Sequence, residues 1–303
     1  MTARVLSTAH GTHRSAFALV DWLLFAAVGT IWGSSFLFIA VGLESFEPGL
    51  VTWLRIVFGA TALWSLRSAR VRLDREDVPR LIALSVSWVV IPFTLFPLAQ
   101  GSVNSAIAGM LNGAAPIFTV VIATILLRQA PGPGQLLGIP IGFAGVAAIA
   151  LSAASHGHNQ AVGVAMILVA TVCYGIAFNI AAPLQQKYGS VPVMAAILAI
   201  GAVATAPLGI AALAGSSFAW DSLAAVVVLG LVGTGFAFVL MGRFVGRVGA
   251  TRASIVGYLI PVVALGLGVV FRDDDVGPFA LVGVALVIVG AYLTSRREIP
   301  ATS

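Results

Sequence analysis

Of the sixteen Lys and Arg residues in the chain, Arg55 alone falls inside an apolar run, PGLVTWLRIVFGATALW. A guanidinium at the centre of a bilayer costs roughly 2.5–3.5 kcal/mol on insertion scales, so Arg55 must face a cavity or reach an interface. Two readings stand open for it: a group that binds a solute carboxylate, or an anchor bonded to backbone carbonyls. Asn112 and Asn179 also lie well inside apolar runs, where an unpaired amide is costly, so each either bonds a neighbouring helix or lines a polar pathway. Further groups suited to a solute with both polar and apolar parts are Trp32, Ser35 and Phe36 within TIWGSSF, then Trp88, Tyr174, Phe178, Thr234 and Tyr258. With Arg55 and the two asparagines, these are the candidate substrate-binding residues.

Other chemistries find less support. There is no GxxxxGK[ST] loop for ATP, and His10, His13, His156 and His158 all lie outside the apolar runs, so no catalytic, metal or cofactor site is expected. Asp21 and Asp221 sit near run ends, and no acid or histidine lies near a run centre. Proton coupling therefore has no evident carrier, and facilitated diffusion or exchange is the expectation.

The elements that must position these residues are membrane helices. With 59% apolar and 9% charged residues, the chain is far outside the soluble range. A helix rises about 1.5 Å per residue, so each crossing of a core about 30 Å thick takes roughly 20 apolar residues. Charges, prolines and polar clusters divide the chain into ten candidate spans, at 17–43, 48–67, 78–99, 103–127, 135–153, 162–184, 191–214, 222–242, 249–271 and 277–295. All Lys and Arg residues except Arg55 and Arg272 then fall on one set of alternate connections, which predicts that both termini are cytoplasmic. The net charge of +5 is explained by this topology; no basic face exists to hold nucleic acid. The mixed-sign stretch RSARVRLDREDVPR reads as a solvated inner loop, and Asp273, Asp274 and Asp275 as a solvated outer turn. Trp22, Trp53, Trp64 and Trp220 read as an interfacial belt, and Cys173 as a small apolar residue.

The chain also repeats. A shift of 145 residues lays Pro116 on Pro261, Pro133 on Pro278, Gly138 on Gly283 and Gly145 on Gly290; Gly33 meets Gly175 at 142 and Pro48 meets Pro192 at 144. The expected organisation is a segment 1–16, a five-helix repeat 17–153, a second repeat 162–295 and a tail 296–303. Five is odd, so the second repeat enters the membrane from the opposite side, an inverted repeat of the kind used by secondary transporters.

The stretches TIWGSSF, PGLVTWLR, NSAIAGMLNGAAPIFTVVIATILL and GQLLGIPIGFAGVAAIAL, echoed by VCYGIAFNI, GATRASIVGYLIPVVALGLGVVF and LVGVALVIVGAYL, resemble the EamA-type ten-helix transporters of the drug/metabolite transporter superfamily. The resemblance implies an all-α membrane protein of the bacterial inner membrane that exports amino acids or other small metabolites. Many members place a glutamate after the fourth and ninth spans, where this chain has Arg128-Gln129 and Arg272-Asp273. Nucleotide-sugar and triose-phosphate carriers share such a fold, but their phosphates call for several buried cations. An integral-membrane enzyme would need a catalytic cluster. The charge bias makes a direct prediction: a reporter active only in the cytoplasm should work when fused after Ser303 and be silent within 155–157, and the reverse pattern would overturn the orientation.

Overall fold

The computed structural model describes residues 18–127, 133–154, 158–248, 253 and 256–295. The segment 1–16, the tail 296–303, the pair Arg128-Gln129 and His10, His13 and His156 lie outside the described residues.

All regular structure among the described residues is helical. Helix α1 (Leu19–Gly42) is followed by α2 (Pro48–Trp64) and by two short 3₁₀ turns, Arg67–Ala69 and Arg75–Asp77. Helix α3 comprises Val78–Ser85 and Ile91–Gln100, joined by a π-helical turn at Val86–Val90. Helix α4 is broken into Ser105–Asn112 and Ala115–Leu127. Next come α5 (Pro133–Ala154), α6 (His158–Tyr188) and α7 (Ser190–Ala212). Helix α8 comprises Trp220–Gly230 and Ala237–Val248 around a second π-helical turn at Leu231–Phe236, and α9 (Val256–Arg272) and α10 (Pro278–Ser295) complete the fold. Seven candidate spans are long and apolar enough to cross a membrane, and Pro48–Trp64, Val256–Arg272 and Pro278–Leu293 are shorter apolar helices. This is a multi-pass membrane protein.

The interruptions have local causes. Pro92 has no N–H for the Trp88 carbonyl, and the ladder shifts so that the Ile91 N–H bonds Val86 O, one residue further back than in an α-helix. Pro116 likewise cannot bond Asn112 O, and the chain there tightens into i→i−3 bonds from Gly113 to Met110 and from Ala114 to Leu111. Between α6 and α7 the chain turns at Gly189, whose φ of 86° favours a residue without Cβ.

Helices meet where glycine removes the side chain. A Cβ on Gly145 of α5 would lie 2.6 Å from Gly283 O of α10, and one on Gly290 would lie 2.7 Å from Gly138 O, so these two helices touch backbone to backbone. The contacts recur when each helix is exchanged for the one five further along. Gly33 of α1 packs on Val263 of α9, while Gly175 of α6 packs on Phe118 and Thr119 of α4; Gly59 of α2 packs on Thr234 of α8, while Gly201 of α7 packs on Val89 of α3. The two π turns occupy corresponding places in this exchange.

The described ion pairs each join groups on one predicted side. Buried Asp21 accepts from Arg247 Nε at 2.6 Å, Lys187 lies 2.7 Å from both Asp74 and Asp77, and Arg272 pairs with Glu44. The stretch 67–80 is largely exposed, as its composition implies, but Asp77 within it is buried beneath Lys187 and Tyr188. Bonds from Lys187 and Tyr188 hold the Asp74 carboxyl below the usual carboxylate range, so this contribution is present at neutral pH and is lost as pH falls through the lowered value. Asp274 is no free turn residue either: it caps the start of α4 by accepting from Ser105 Oγ at 2.6 Å and from the Ala106 N–H at 2.9 Å. Trp53 differs from the belt expectation, since its indole N–H donates to Ala202 O of α7 and its ring packs on the core. An indole this close to the Gly209 backbone finds a partner inside the protein.

Gly145→Val should lower the thermal midpoint in detergent by the equivalent of about 1–3 kcal/mol, because the contact is backbone on backbone and cannot yield. Gly266→Ala, where nothing lies within 4 Å of the added Cβ, should leave the midpoint unchanged or raise it; equal losses would show that helix contact does not set stability.

Candidate functional site

Arg55 points inward from α2 and is 6% exposed. Its Cζ lies 3.7 Å from the centre of the Phe93 ring on α3, and its Nε donates to Thr234 Oγ1 on α8 at 3.1 Å. Thr234 is aimed by the π turn: its hydroxyl donates to Leu229 O, five residues back, at 3.1 Å and so presents an oxygen lone pair to the guanidinium. One turn nearer the start of α2, Thr52 bonds Phe93 O at 2.8 Å and fixes α2 against α3. A desolvated cation–π contact of about 2 kcal/mol and one interhelical bond of about 0.6 kcal/mol roughly offset the cost of burying the charge. The two terminal nitrogens of Arg55 have no partner among the described residues.

Phe93 belongs to an apolar cluster with Trp88 and Phe238, and further rings extend it. Phe238, four residues beyond Thr234, meets Trp32 of α1 at 5.9 Å and Trp88 of α3 at 5.7 Å, both edge to face; Trp88 meets Phe178 of α6 at 4.8 Å. A second layer joins Phe36 of α1 to Phe96 of α3 at 5.4 Å, and Phe96 stacks on Tyr174 of α6 at 6.0 Å. Trp32 touches all three apolar clusters of the core and Tyr174 touches two, so both stand where the clusters meet.

The structure therefore brings Trp32, Phe36, Arg55, Trp88, Tyr174, Phe178 and Thr234 into one connected group. The remaining candidates are placed differently. Ser35 bonds Ile31 O of its own helix at 3.2 Å and packs against Gly233. Asn179 donates to Thr119 O of α4 at 3.2 Å and to Gly175 O at 2.8 Å, which makes it an interhelical tie. Tyr258 donates to Ala291 O of α10 at 2.8 Å and meets the Tyr292 ring. Asn112 stands at the break in α4 with its Oδ1 buried and without a partner among the described residues. Phe93, Phe96 and Phe238 escaped sequence reasoning, because a phenylalanine in an apolar run, one of 17 in the chain, carries no signal. The i, i+4 spacing from Thr234 to Phe238 was the one clue. Among the described residues no three His, Cys, Asp or Glu side chains gather as a metal site.

The EamA-like transporter family model matches residues 21–151 and again 161–296. The chain belongs to the EamA-like transporter family. Relatives of this EamA-like protein include a probable terminal-alkyne amino-acid exporter of Streptantibioticus cattleyicolor, 28% identical, with 92% of this chain and 94% of the relative covered. An uncharacterized transporter of Archaeoglobus fulgidus is 25% identical over 91% of this chain and 99% of its own. A probable amino-acid metabolite efflux pump of Escherichia coli is 23% identical over 90% and 94%. One solved crystal structure shares the fold with a TM-score of 0.62 at 17% identity, covering 90% of this chain and 95% of that one. The family and the relatives' names indicate a transporter and not an enzyme.

Thr234→Val keeps the shape but removes the acceptor for Arg55, and should lower the thermal midpoint by the equivalent of about 1–3 kcal/mol. Thr234→Ser, which keeps the hydroxyl, should lose less; no loss in Thr234→Val would show that the bond to Arg55 contributes nothing to stability.

Proposed function

We propose that this protein is a secondary exporter of small amphipathic metabolites, amino acids foremost, in the bacterial inner membrane. All ten helices cross the bilayer, both termini are cytoplasmic, and the two five-helix halves form an inverted repeat around the site. The exchange symmetry of the contacts, the two family matches and the one-sided distribution of Lys and Arg support that arrangement.

The observation that carries the substrate class is Arg55: buried, stacked on Phe93 and bonded to Thr234 through Nε, beside the aromatic cluster that Phe93 shares with Trp88 and Phe238. A carboxylate entering there gains a charge-assisted, bidentate hydrogen bond that the guanidinium otherwise lacks. The rings of Trp32, Trp88, Phe178 and Phe238 receive an apolar side chain. The names of the Streptantibioticus and Escherichia relatives point the same way. Arg55 is the one buried Lys or Arg among the described residues, which disfavours an organophosphate cargo. The buried carboxylate of Asp21 is paired with Arg247 at the inner end of α1, away from this site, and transport runs as facilitated diffusion or exchange.

Counterflow of a labelled amino-acid panel into proteoliposomes tests this reading. Wild type should exchange at least one member, and Arg55→Met should weaken that exchange by about tenfold to a hundredfold, as expected for loss of a charge-assisted bond. Unchanged exchange in Arg55→Met would reduce Arg55 to a structural anchor. Uphill accumulation driven by an imposed pH gradient would overturn the facilitative mechanism.

A further inference from the structure

The stretch from Arg67 to Arg80 mixes both signs of charge along the chain, and folding sorts them. The loop is pinned to the helices. Ala69 is buried, and Leu66 and Leu73 pack on the apolar cluster that holds Leu63 of α2, Leu81 of α3 and Val193 of α7. Asp74 and Asp77 are drawn to the end of α6, where Lys187 Nζ lies 2.7 Å from an oxygen of each. The Tyr188 hydroxyl lies 2.9 and 2.7 Å from the same two oxygens and accepts from the Asp74 N–H at 3.1 Å.

That clamp engages two of the three carboxylates in the stretch. Arg80 shares Asp77 at 3.4 Å, whereas Arg67, Arg70, Arg72 and Arg75 are exposed and have no partner among the described residues. Glu76, also exposed, is the one carboxylate left beside them. Apolar groups flank these arginines. Trp64, at the end of α2, donates its indole N–H to Ala195 O at 3.1 Å and keeps 44% of its surface exposed; Val71 and Val78 are exposed as well. Arg67 follows Trp64 by three residues, and Arg75 precedes the start of α3 at Val78 by three. The guanidiniums therefore stand close to the depth at which the apolar edge of a bilayer meets its phosphates. A charge bias that only sets orientation needs a number of Lys and Arg residues; it does not need the acids withdrawn from among them.

We propose that this face binds the headgroup of an anionic phospholipid in the adjoining leaflet. Arg67, Arg70, Arg72 and Arg75 are the recognising groups, and the Lys187–Tyr188 clamp keeps Asp74 and Asp77 from competing for them. A guanidinium offers forked donors that match the oxygens of a phosphate, and four or more basic residues next to a membrane span form the pattern that anionic lipids recognise. Trp64 and Val71 meet the upper part of the acyl chains. A free phosphate ion has no apolar part to cover these side chains, and for that reason the lipid is the occupant. On the orientation proposed above the leaflet is the cytoplasmic one; binding depends neither on that orientation nor on transport.

The test follows the thermal midpoint of the full chain in dodecyl maltoside micelles as dioleoyl phosphatidylglycerol or dioleoyl phosphatidylcholine is added. Phosphatidylglycerol should raise the midpoint in a saturable way, because the arginines are gathered only in the folded chain. Phosphatidylcholine should act about tenfold more weakly or not at all, and raising the salt from about 0.1 M to about 0.5 M should weaken the phosphatidylglycerol effect. Arg67→Gln, Arg70→Gln, Arg72→Gln and Arg75→Gln together should lower the apparent affinity by about a hundredfold, and each alone by about fivefold. The lipid-free midpoint should stay unchanged, since none of the four has a partner to lose; the single variants carry the test should the fourfold variant fail to fold. Arg4→Gln, Arg14→Gln, Arg296→Gln and Arg297→Gln together remove as many charges from the two ends of the chain and should leave the affinity as it was. An equal loss in that variant would show attraction by net charge and would overturn the site. Equal stabilisation by both lipids, the same shift with inorganic phosphate in place of lipid, or an affinity indifferent to the four arginines would overturn it too.

Discussion

In a bilayer, two apolar helices gain nothing by leaving lipid for each other, so the contacts that hold this chain together must come from surfaces that pack more closely than lipid can. Glycine provides them. Gly145 and Gly290 let α5 and α10 meet along their backbones, and Gly33, Gly175, Gly59 and Gly201 bring each half against the other at corresponding points. Any Cβ at these positions would displace a backbone atom or a packed side chain. The helices are therefore fixed in register, and whatever lies on their inner faces is fixed with them.

That register explains why a charge can be buried. Gly59 brings α2 against the π turn of α8, close enough for Thr234 to reach Arg55, while Thr52 holds α2 to α3 so that Phe93 lies beneath the guanidinium. The π turns supply the remaining freedom. Each shifts the helix by a residue, and the two contain Trp88 and Thr234. Symmetry sets the frame and asymmetry supplies the chemistry: Thr234 occupies the place of Val89 in the other half, and no second arginine answers Arg55 among the described residues.

Polar groups divide accordingly. Thr52, Ser85, Asn179, Ser222 and Tyr258 bond carbonyls on neighbouring helices and serve as ties. Asn112 and Gln100 retain buried polar atoms without partners among the described residues. In a low-dielectric interior the second condition is costly and persists where a ligand or water completes it. The unpartnered groups, not the polar ones in general, are the candidates for meeting a ligand.

Much was legible in the sequence. The apolar runs and their charged boundaries determined a helical membrane protein, the Lys and Arg bias implied an orientation, and the offset of 145 residues between prolines and glycines anticipated which helices correspond. Arg55 and Trp32 stood out because their types conflict with their surroundings. Only the tertiary structure decided which polar residues are ties and which are open, since Asn112 and Asn179 look alike in the chain and differ by whether a carbonyl of another helix lies within reach. It alone assembled Phe93, Phe96 and Phe238 into walls. The physical reason is range: periodicity and charge act along the chain over a few residues, whereas a hydrogen bond or an aromatic contact is settled by helices that lie far apart in the chain and meet only once it has folded.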